Sequence, residues 1–471
     1  MKEKIMNAKP LYHKTLFIYT LLFAVYTLFG RVTLLHGLVE HTINSFVFIL
    51  AGFFGLMLFG IDLLFYRDFM KMRYWKVFAL FIVCAGISTA LNVSYGVRSN
   101  LTTLIWLIDQ MLLFASMGYF FTRERYDKWL TWFFRICGVI WGLASAGSLY
   151  QYFFVPGFRI FMNERWIRQS FYDNRLFGVF IDPNLGAFVG FLVILGMIYL
   201  VKQETAGKNR KWINVLCYVN VAVQIFYIIL SGSRSVEVCM VVSISYALIL
   251  KLVGVFQKKK TSLMPRILSF IAVPVVLSVL ILGSFQGVKL GVSYFAKNVT
   301  TATKHETDEL ERTDIEGDAS NNRSDIWKGY LVLWKDKPIF GISPRNGWNY
   351  ADKEHPEGYI ANHHYDVHNA YVAVLEGMGI VGAAVLLLLM FLLLKNMLPM
   401  AFSPEKMDLT RWMAVQLILN IAVFICFYPG IFFTNGIDTV LFWPAIGYVL
   451  QCTAASKDNA VVETSAEQEN D

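Results

Sequence analysis

The chain has 471 residues, 56% of them hydrophobic and 16% charged, with a mean hydropathy of +0.50 and a formal net charge of +8. Soluble domains carry roughly a quarter charged residues, because charged side chains keep a surface wet. A soluble globule, a disordered chain and a disulfide scaffold are thereby excluded, and the chain reads as an all-α integral membrane protein.

Apolar windows of the length that crosses a bilayer as helix predict about twelve transmembrane helices. They lie near 14–30, 43–66, 77–92, 101–121, 130–153, 183–201, 213–231, 235–255, 267–285, 369–394, 412–429 and 436–452. The first follows Lys2, Lys4, Lys9 and Lys14 and lacks a small-residue cleavage site, so it is read as an uncleaved anchor. Cytoplasmic connections gather Lys and Arg. Arg67–Lys76, Arg123–Lys128, Lys202–Lys211 and the Lys258-Lys259-Lys260 cluster are basic, while 31–42 and 93–100 carry one Arg each. That asymmetry places both termini in the cytoplasm, and the +8 balance reports topology rather than a nucleic-acid partner. All six cysteines fall in or at the end of apolar runs, away from any disulfide framework or Cys-based metal site.

The resulting organisation is nine helices with short loops over 1–285, a large extracytoplasmic loop at 286–368, three helices over 369–452, and a disordered cytoplasmic tail at 453–471. Two outward segments break the charge pattern. The first, about 154–182, holds Arg159, Arg165, Arg168 and Arg175 and no Lys. Arg suits a site that grips phosphate or carboxylate through paired N–H donors; contact with lipid headgroups is the other reading. Asp182-Pro183-Asn184 reads as a helix start, with Asp as cap and Pro in the first turn.

Ser231-Gly232-Ser233-Arg234-Ser235 separates two apolar runs too close for a real loop. The chain must reverse there, with Arg234 directed into the bundle or the interface and Glu237 three residues on, within pairing distance along a helix. A snorkelling arginine with a local salt bridge is the plainer alternative. Asp109, Arg135, Glu376 and Asp438 are further charges inside spans, where ionisable groups are costly and face a cavity or a partner.

The large loop begins with an acidic, solvated stretch at 304–318. Apolar positions 326, 327, 330, 331, 333 and 334 then follow helical spacing and predict a short amphipathic helix ended by Asp336-Lys337-Pro338. Arg323 falls at or just before its first turn, where unpaired backbone N–H groups favour an anion. The loop closes on His363-His364-Tyr365-Asp366-Val367-His368-Asn369 at the start of the tenth span. A histidine there exchanges protons near neutral pH. Metal ligation by His364, Asp366 and His368, or a merely solvated cluster, are the competing readings.

Taken in order, Arg175-Leu176-Phe177-Gly178, Asp182-Pro183-Asn184, Ser231–Ser235, Asn322-Arg323 with Trp327, Pro338-Ile339-Phe340-Gly341, His368-Asn369-Ala370-Tyr371 and Glu376–Gly382 resemble the O-antigen ligase and polymerase family of bacterial membrane glycosyltransferases. The motifs span about 170–385. The resemblance implies a GT-C-like, metal-independent enzyme of the bacterial cytoplasmic membrane, without cofactor, acting on the extracytoplasmic face. Its donor is expected to be an oligosaccharide on undecaprenyl pyrophosphate, and its acceptor a glycan hydroxyl. Matched residue by residue, Arg234, Arg323 and His368 take the essential positions and Arg175 a recurrent one; Glu237 and Asn369 are expected in support. Fixed cations aimed at a departing pyrophosphate stabilise the transition state. Attack opposite the leaving lipid inverts the anomeric carbon.

Three functions follow. The first is a polymerase joining repeat units of a capsule, exopolysaccharide or O-antigen, beside other export and assembly proteins. The second is a ligase moving finished glycan to lipid A core, wall polymer or protein. The third, from another class, is a lipid-linked-sugar flippase or transporter, although the paired half-repeats such folds tend to show are not evident.

Overall fold

The computed structural model describes residues 2–33, 41–162, 165–172, 175–203, 210–259, 262–299 and 322–468. In chain order the elements are α1 (Lys2–Phe29), α2 (His41–Ile61), α3 (Trp75–Leu91), α4 (Arg98–Leu113), α5 (Arg123–Phe154), β1 (Phe158–Met162), β2 (Arg165–Tyr172), β3 (Arg175–Gly178), α6 (Pro183–Gln203), α7 (Arg210–Ser231), α8 (Arg234–Lys258), α9 (Leu263–Val299), α10 (Arg323–Asp336), α11 (Gly347–Glu354), α12 (Tyr359–His363), α13 (Ala370–Ala401), α14 (Leu409–Phe424) and α15 (Ile437–Gln468). Each of the twelve apolar windows falls on one of these helices.

Eight helices among the described residues are long and apolar enough to cross a bilayer, those of α1, α2, α5 to α9 and α13. Helices α3 and α14 are apolar but shorter. Helix α4 widens into a π-helical stretch, Phe114–Phe120. Two boundaries differ from the sequence reading. Helix α9 runs on to Val299, past the expected start of the loop at 286, with no proline between 286 and 299 to stop it. Helix α15 continues past 452 through residues expected to form the tail. The acidic stretch 304–318 lies outside the described residues.

The chain divides into two compact units. The first comprises Met1–Ala24, Phe48–Trp129 and Asn322–Asp471. In it, α15 packs on the Phe114–Phe120 turn and on α14, while α13 packs on α3 and α10. The second comprises Val25–Val47 and Leu130–Asn321. Its centre is α6, apolar on all faces and 83% buried across its spanning window, as a helix enclosed by protein must be. Helices α7 and α8 and strand β3 cover it.

The arginine-rich segment is the departure from an otherwise helical fold. It forms an antiparallel sheet in the order β1-β2-β3, with Phe161 opposite Trp166 and a bulge at Ser170, where φ is +59°. Alternation sorts its side chains: Ile167 and Gln169 are buried, whereas Arg159, Phe161, Trp166 and Arg168 are exposed. Residues 31–33 extend this layer, with Thr33 N–H donating to Val179 O at 2.8 Å and Ile181 N–H to Arg31 O at 3.1 Å.

In the first unit, α13 is two helical pieces broken at Gly379, where φ is +65° and ψ −168°. The break is filled by the loop after α10. Ile380 N–H donates to Pro338 O at 2.8 Å and Val381 N–H to Ile339 O at 3.2 Å. In return, Ile342 and Ser343 N–H donate to the Glu376 and Gly377 carbonyls, each at 3.0 Å. Side chains would obstruct this approach: a Cβ on Gly379 would lie 2.3 Å from Ile339 O, and one on Gly341 (φ +70°) 2.4 Å from Glu376 O. Two of the sequence motifs, Pro338–Gly341 and Glu376–Gly382, are thus two halves of one backbone joint. Asn92 secures it, donating to Gly341 O at 3.0 Å and accepting from Lys337 Nζ at 2.7 Å.

Candidate functional site

In the second unit, β3 buries the Arg175 side chain to 7% exposure. Its Nε donates to Ser231 O at 2.9 Å, and Nη2 donates to Asn184 Oδ1 at 2.7 Å. One guanidinium therefore ties the sheet to the end of α7 and the start of α6. Asn184 is held in turn by Asp182, whose Oδ1 accepts the Asn184 backbone N–H at 2.8 Å, which is the helix start expected from Asp-Pro-Asn. After Ser231 the chain reverses through Gly232 at φ +62°. Arg234 is the first residue of α8 and exposed, with Glu237 in the same first turn and half-buried. A helix start presents unpaired N–H groups, so Arg234 adds a positive charge to a place already suited to an anion. Arg175 and Arg234 thus share one corner, joined through Ser231.

That corner continues into the sheet as alternating cations and rings. The Arg159 guanidinium lies 4.8 Å from the Tyr172 ring, Arg168 lies 5.8 Å from Tyr172 and 5.7 Å from Phe177, and Arg175 lies 6.0 Å from Phe177. Stacking of this kind holds guanidinium groups in place without neutralising them.

In the first unit, α10 is the amphipathic helix expected from the sequence. It buries Ile326, Tyr330 and Leu333 on one stripe, and Arg323 opens it after Asn322 at φ +60°. The half-buried Arg323 stacks over Phe427 at 5.5 Å. One turn further, Trp327 Nε1 donates to Val367 O at 3.0 Å, and Tyr330 Oη donates to Tyr365 O at 2.8 Å. These two bonds clamp the backbone that leads into His368.

His368 is half-buried and adopts a left-handed conformation, φ +48°. Asn369 follows as the cap of α13, with Oδ1 accepting from Tyr371 N at 2.9 Å and Val372 N at 3.1 Å. Ala370 N–H then donates to Ile425 O at 2.9 Å. Arg323 and the start of α13 therefore meet the same short stretch, 425–427. Asn369, expected in support of the site, is a helix cap that fixes where the chain passes from His368 into α13.

The other histidines turn elsewhere. His364 Nε2 lies 2.7 Å from Asp352 Oδ1, and His355 Nε2 lies 2.6 Å from Asp336 Oδ2. Among the described residues no three His, Cys, Asp or Glu gather as a metal site.

Sequence reasoning named Glu376 only as a charge inside a span. It lies at the floor of a pocket of about 120 Å³ lined by Tyr330, Arg345, Gly347, Trp348 and Asp366. Glu376 is 4% exposed, and its Oε1 has no hydrogen-bond partner among the described residues. Of the other residues, sequence reasoning singled out Asp366, as a metal ligand; nothing in local periodicity marks a cavity assembled from separate helices and loops. Asp109, in α4, is also buried without hydrogen-bond partners for its carboxyl group among the described residues.

Residues 219–387, just over a third of the chain, match the family model described as O-antigen ligase. The matched stretch contains Arg234, Arg323, His368 and Glu376, and Arg175 precedes it. No curated protein matches the chain. The match bears out the resemblance seen in the ordered motifs. Together with the eight spanning helices, it indicates a multi-pass membrane protein that is similar over this stretch to O-antigen ligases.

Proposed function

From the O-antigen ligase match over 219–387, we propose that the chain transfers oligosaccharide from undecaprenyl pyrophosphate to a glycan hydroxyl, extending the repeat units of a capsule, exopolysaccharide or O-antigen. The observation that carries this reading is that one matched stretch includes Arg234, Arg323 and His368. The protein is assigned twelve crossings of the bacterial cytoplasmic membrane, cytoplasmic termini and an extracytoplasmic site.

The acceptor oxygen forms a bond to the anomeric carbon as the bond from that carbon to the pyrophosphate oxygen breaks. The electron pair leaves with the lipid pyrophosphate, and the hydroxyl proton passes to His368. Arg175, Arg234 and Arg323 bind the pyrophosphate and stabilise its growing charge, the task a divalent metal serves in other transferases. Attack from the face opposite the lipid inverts the carbon. The clamp of Trp327 and Tyr330 and the Asn369 cap support this assignment, since a base must be held within hydrogen-bond reach of its proton.

The description of the matching family favours a second reading, a ligase that moves finished glycan to lipid A core, wall polymer or protein. Deleting the gene and sizing surface glycans separates the two. Loss of long chains with single repeats retained marks a polymerase; full-length polymer stranded on its lipid carrier marks a ligase. Complementation with Arg234→Ala, His368→Ala and His368→Asn tests the site. Asn tolerates the left-handed backbone at 368, so it separates loss of the imidazole from loss of the turn. Full activity of stably inserted His368→Asn and Arg234→Ala proteins refutes the mechanism.

A further inference from the structure

We propose that the pocket over Glu376 is the subsite for a sugar ring of the acceptor glycan, with Glu376 accepting a hydrogen bond from one of its hydroxyls. The inference rests on the transferase reading above and names the place where that reaction receives its second substrate. Four observations support it.

First, the pocket lining includes a buried carboxyl with an unmet hydrogen-bonding oxygen. Glu376 is 4% exposed, and Oε1 is without a hydrogen-bond partner among the described residues. A buried carboxylate oxygen left unsatisfied costs free energy that a hydroxyl donor recovers. Second, the backbone at Gly347 approaches the carboxyl closely because it carries no side chain. A Cβ on Gly347 would lie 2.9 Å from both Glu376 Oε1 and a Tyr330 ring carbon.

Third, the lining suits a sugar. Trp348 and Tyr330 contribute ring surface, while Arg345 contributes N–H donors and Asp366 and Glu376 contribute carboxyl oxygens. A pyranose has the same mixed character, with apolar C–H faces and a rim of hydroxyls. Two carboxyl groups in the lining offer oxygens that suit hydroxyl donors better than a phosphate, so the pocket is suited to the acceptor rather than to the pyrophosphate of the donor. Fourth, Asp366 and Val367 form its wall, and His368 is the next residue. A ring seated here lies beside the backbone that carries the expected base. Glu376 acts by positioning; no bond to it forms or breaks.

The test uses the full-length protein in nanodiscs. The donor is the lipid-linked glycan extracted from cells lacking this gene, and the acceptor is the oligosaccharide released from it by mild acid. Glu376→Gln, by weakening one hydrogen bond, and Gly347→Ala, by placing a methyl group against Oε1, are each expected to raise the acceptor KM up to about 10-fold, with the donor KM unchanged. A purely structural role moves both constants or neither. Saturation-transfer NMR of the same oligosaccharide, without donor, reads the pocket independently of turnover; binding is expected to wild type and to be lost in both variants. Equal binding and equal acceptor KM in wild type and variants overturn the inference, as does absence of binding to wild type. Binding that depends on Glu376 in a protein that never transfers glycan overturns the transferase reading instead, and leaves the pocket a sugar site. Should Glu376→Gln fail to insert, Gly347→Ala carries the same comparison.

Discussion

Arg175 donates through Nε to the Ser231 carbonyl at 2.9 Å and thereby holds the chain three residues before Arg234. A lysine at 175 keeps the charge but not the fork that also reaches Asn184 Oδ1 at 2.7 Å. Arg175→Lys should therefore lower glycan transfer about 10- to 100-fold, the rate equivalent of about 1.5–3 kcal/mol for hydrogen bonds to a charged group. Membrane-inserted protein quantified beside product formation checks this. Wild-type turnover in Arg175→Lys would show that the second N–H contact is dispensable.

Trp327→Phe keeps the ring and removes the N–H that reaches Val367 O. The expected cost is about 1 kcal/mol of stability, with a larger proportional loss of turnover because His368 is the next residue. Asn369→Ala removes the α13 cap and should cost about 1 kcal/mol as well. Thermal unfolding in detergent measures the first effect and product formation the second. Equal losses in both readouts point to stability alone.

Gly379→Ala and Gly341→Ala should each reduce folded protein sharply. Both positions have positive φ, and the new Cβ meets a backbone carbonyl at 2.3 or 2.4 Å. Strain of this kind costs on the order of 1–3 kcal/mol before the clash is counted. Gly283→Ala in α9 has nothing within 4 Å and is the control, expected to be neutral or slightly stabilising. Fluorescence-detected size exclusion of the three variants compares them directly.

Asp68 is 3% exposed and ion-paired with Lys9 and with Lys71, the latter at 2.9 Å. Burial pushes its carboxyl up, but the two ammonium groups outweigh this and hold it below the ordinary carboxylate range. A depressed carboxyl contributes stability that is complete at neutral pH and is lost as pH falls through the folded value. Asp68→Asn should lower Tm at pH 7, by on the order of 1 kcal/mol of stability, and the gap to wild type should close on acidification below about pH 4. A gap independent of pH assigns the loss to packing.

The helices and the α10 stripe were legible because each is written in local periodicity: Ile326, Tyr330 and Leu333 recur at helical spacing whatever surrounds them. The turn at Ser231–Arg234 was legible because two apolar runs left it no room. The sheet over 158–178 was not. Its exposed face carries Phe161 and Trp166 as well as Arg159 and Arg168, so the apolar and polar alternation that marks a half-buried strand is scrambled. Glu376 was visible as a buried charge, but its pocket depends on Arg345, Trp348 and Asp366, brought over it by tertiary contacts that no window of sequence contains. The break in α13 was hidden for the same reason. Gly377 and Gly379 lie in a stretch otherwise apolar enough to run straight, and the break exists because Pro338 and Ile339 supply carbonyls to it.

That joint has a kinetic consequence. The amides of Ile342, Ser343, Ile380 and Val381 all bond across the loop–helix contact, so opening of that contact releases them together. Such groups exchange as one cooperative unit. Mass-resolved deuterium uptake should show the peptides around 338–343 and 376–381 gaining label together at one rate. The neck of a membrane helix and an extramembrane loop, far apart in the chain, thus open and close on a shared clock.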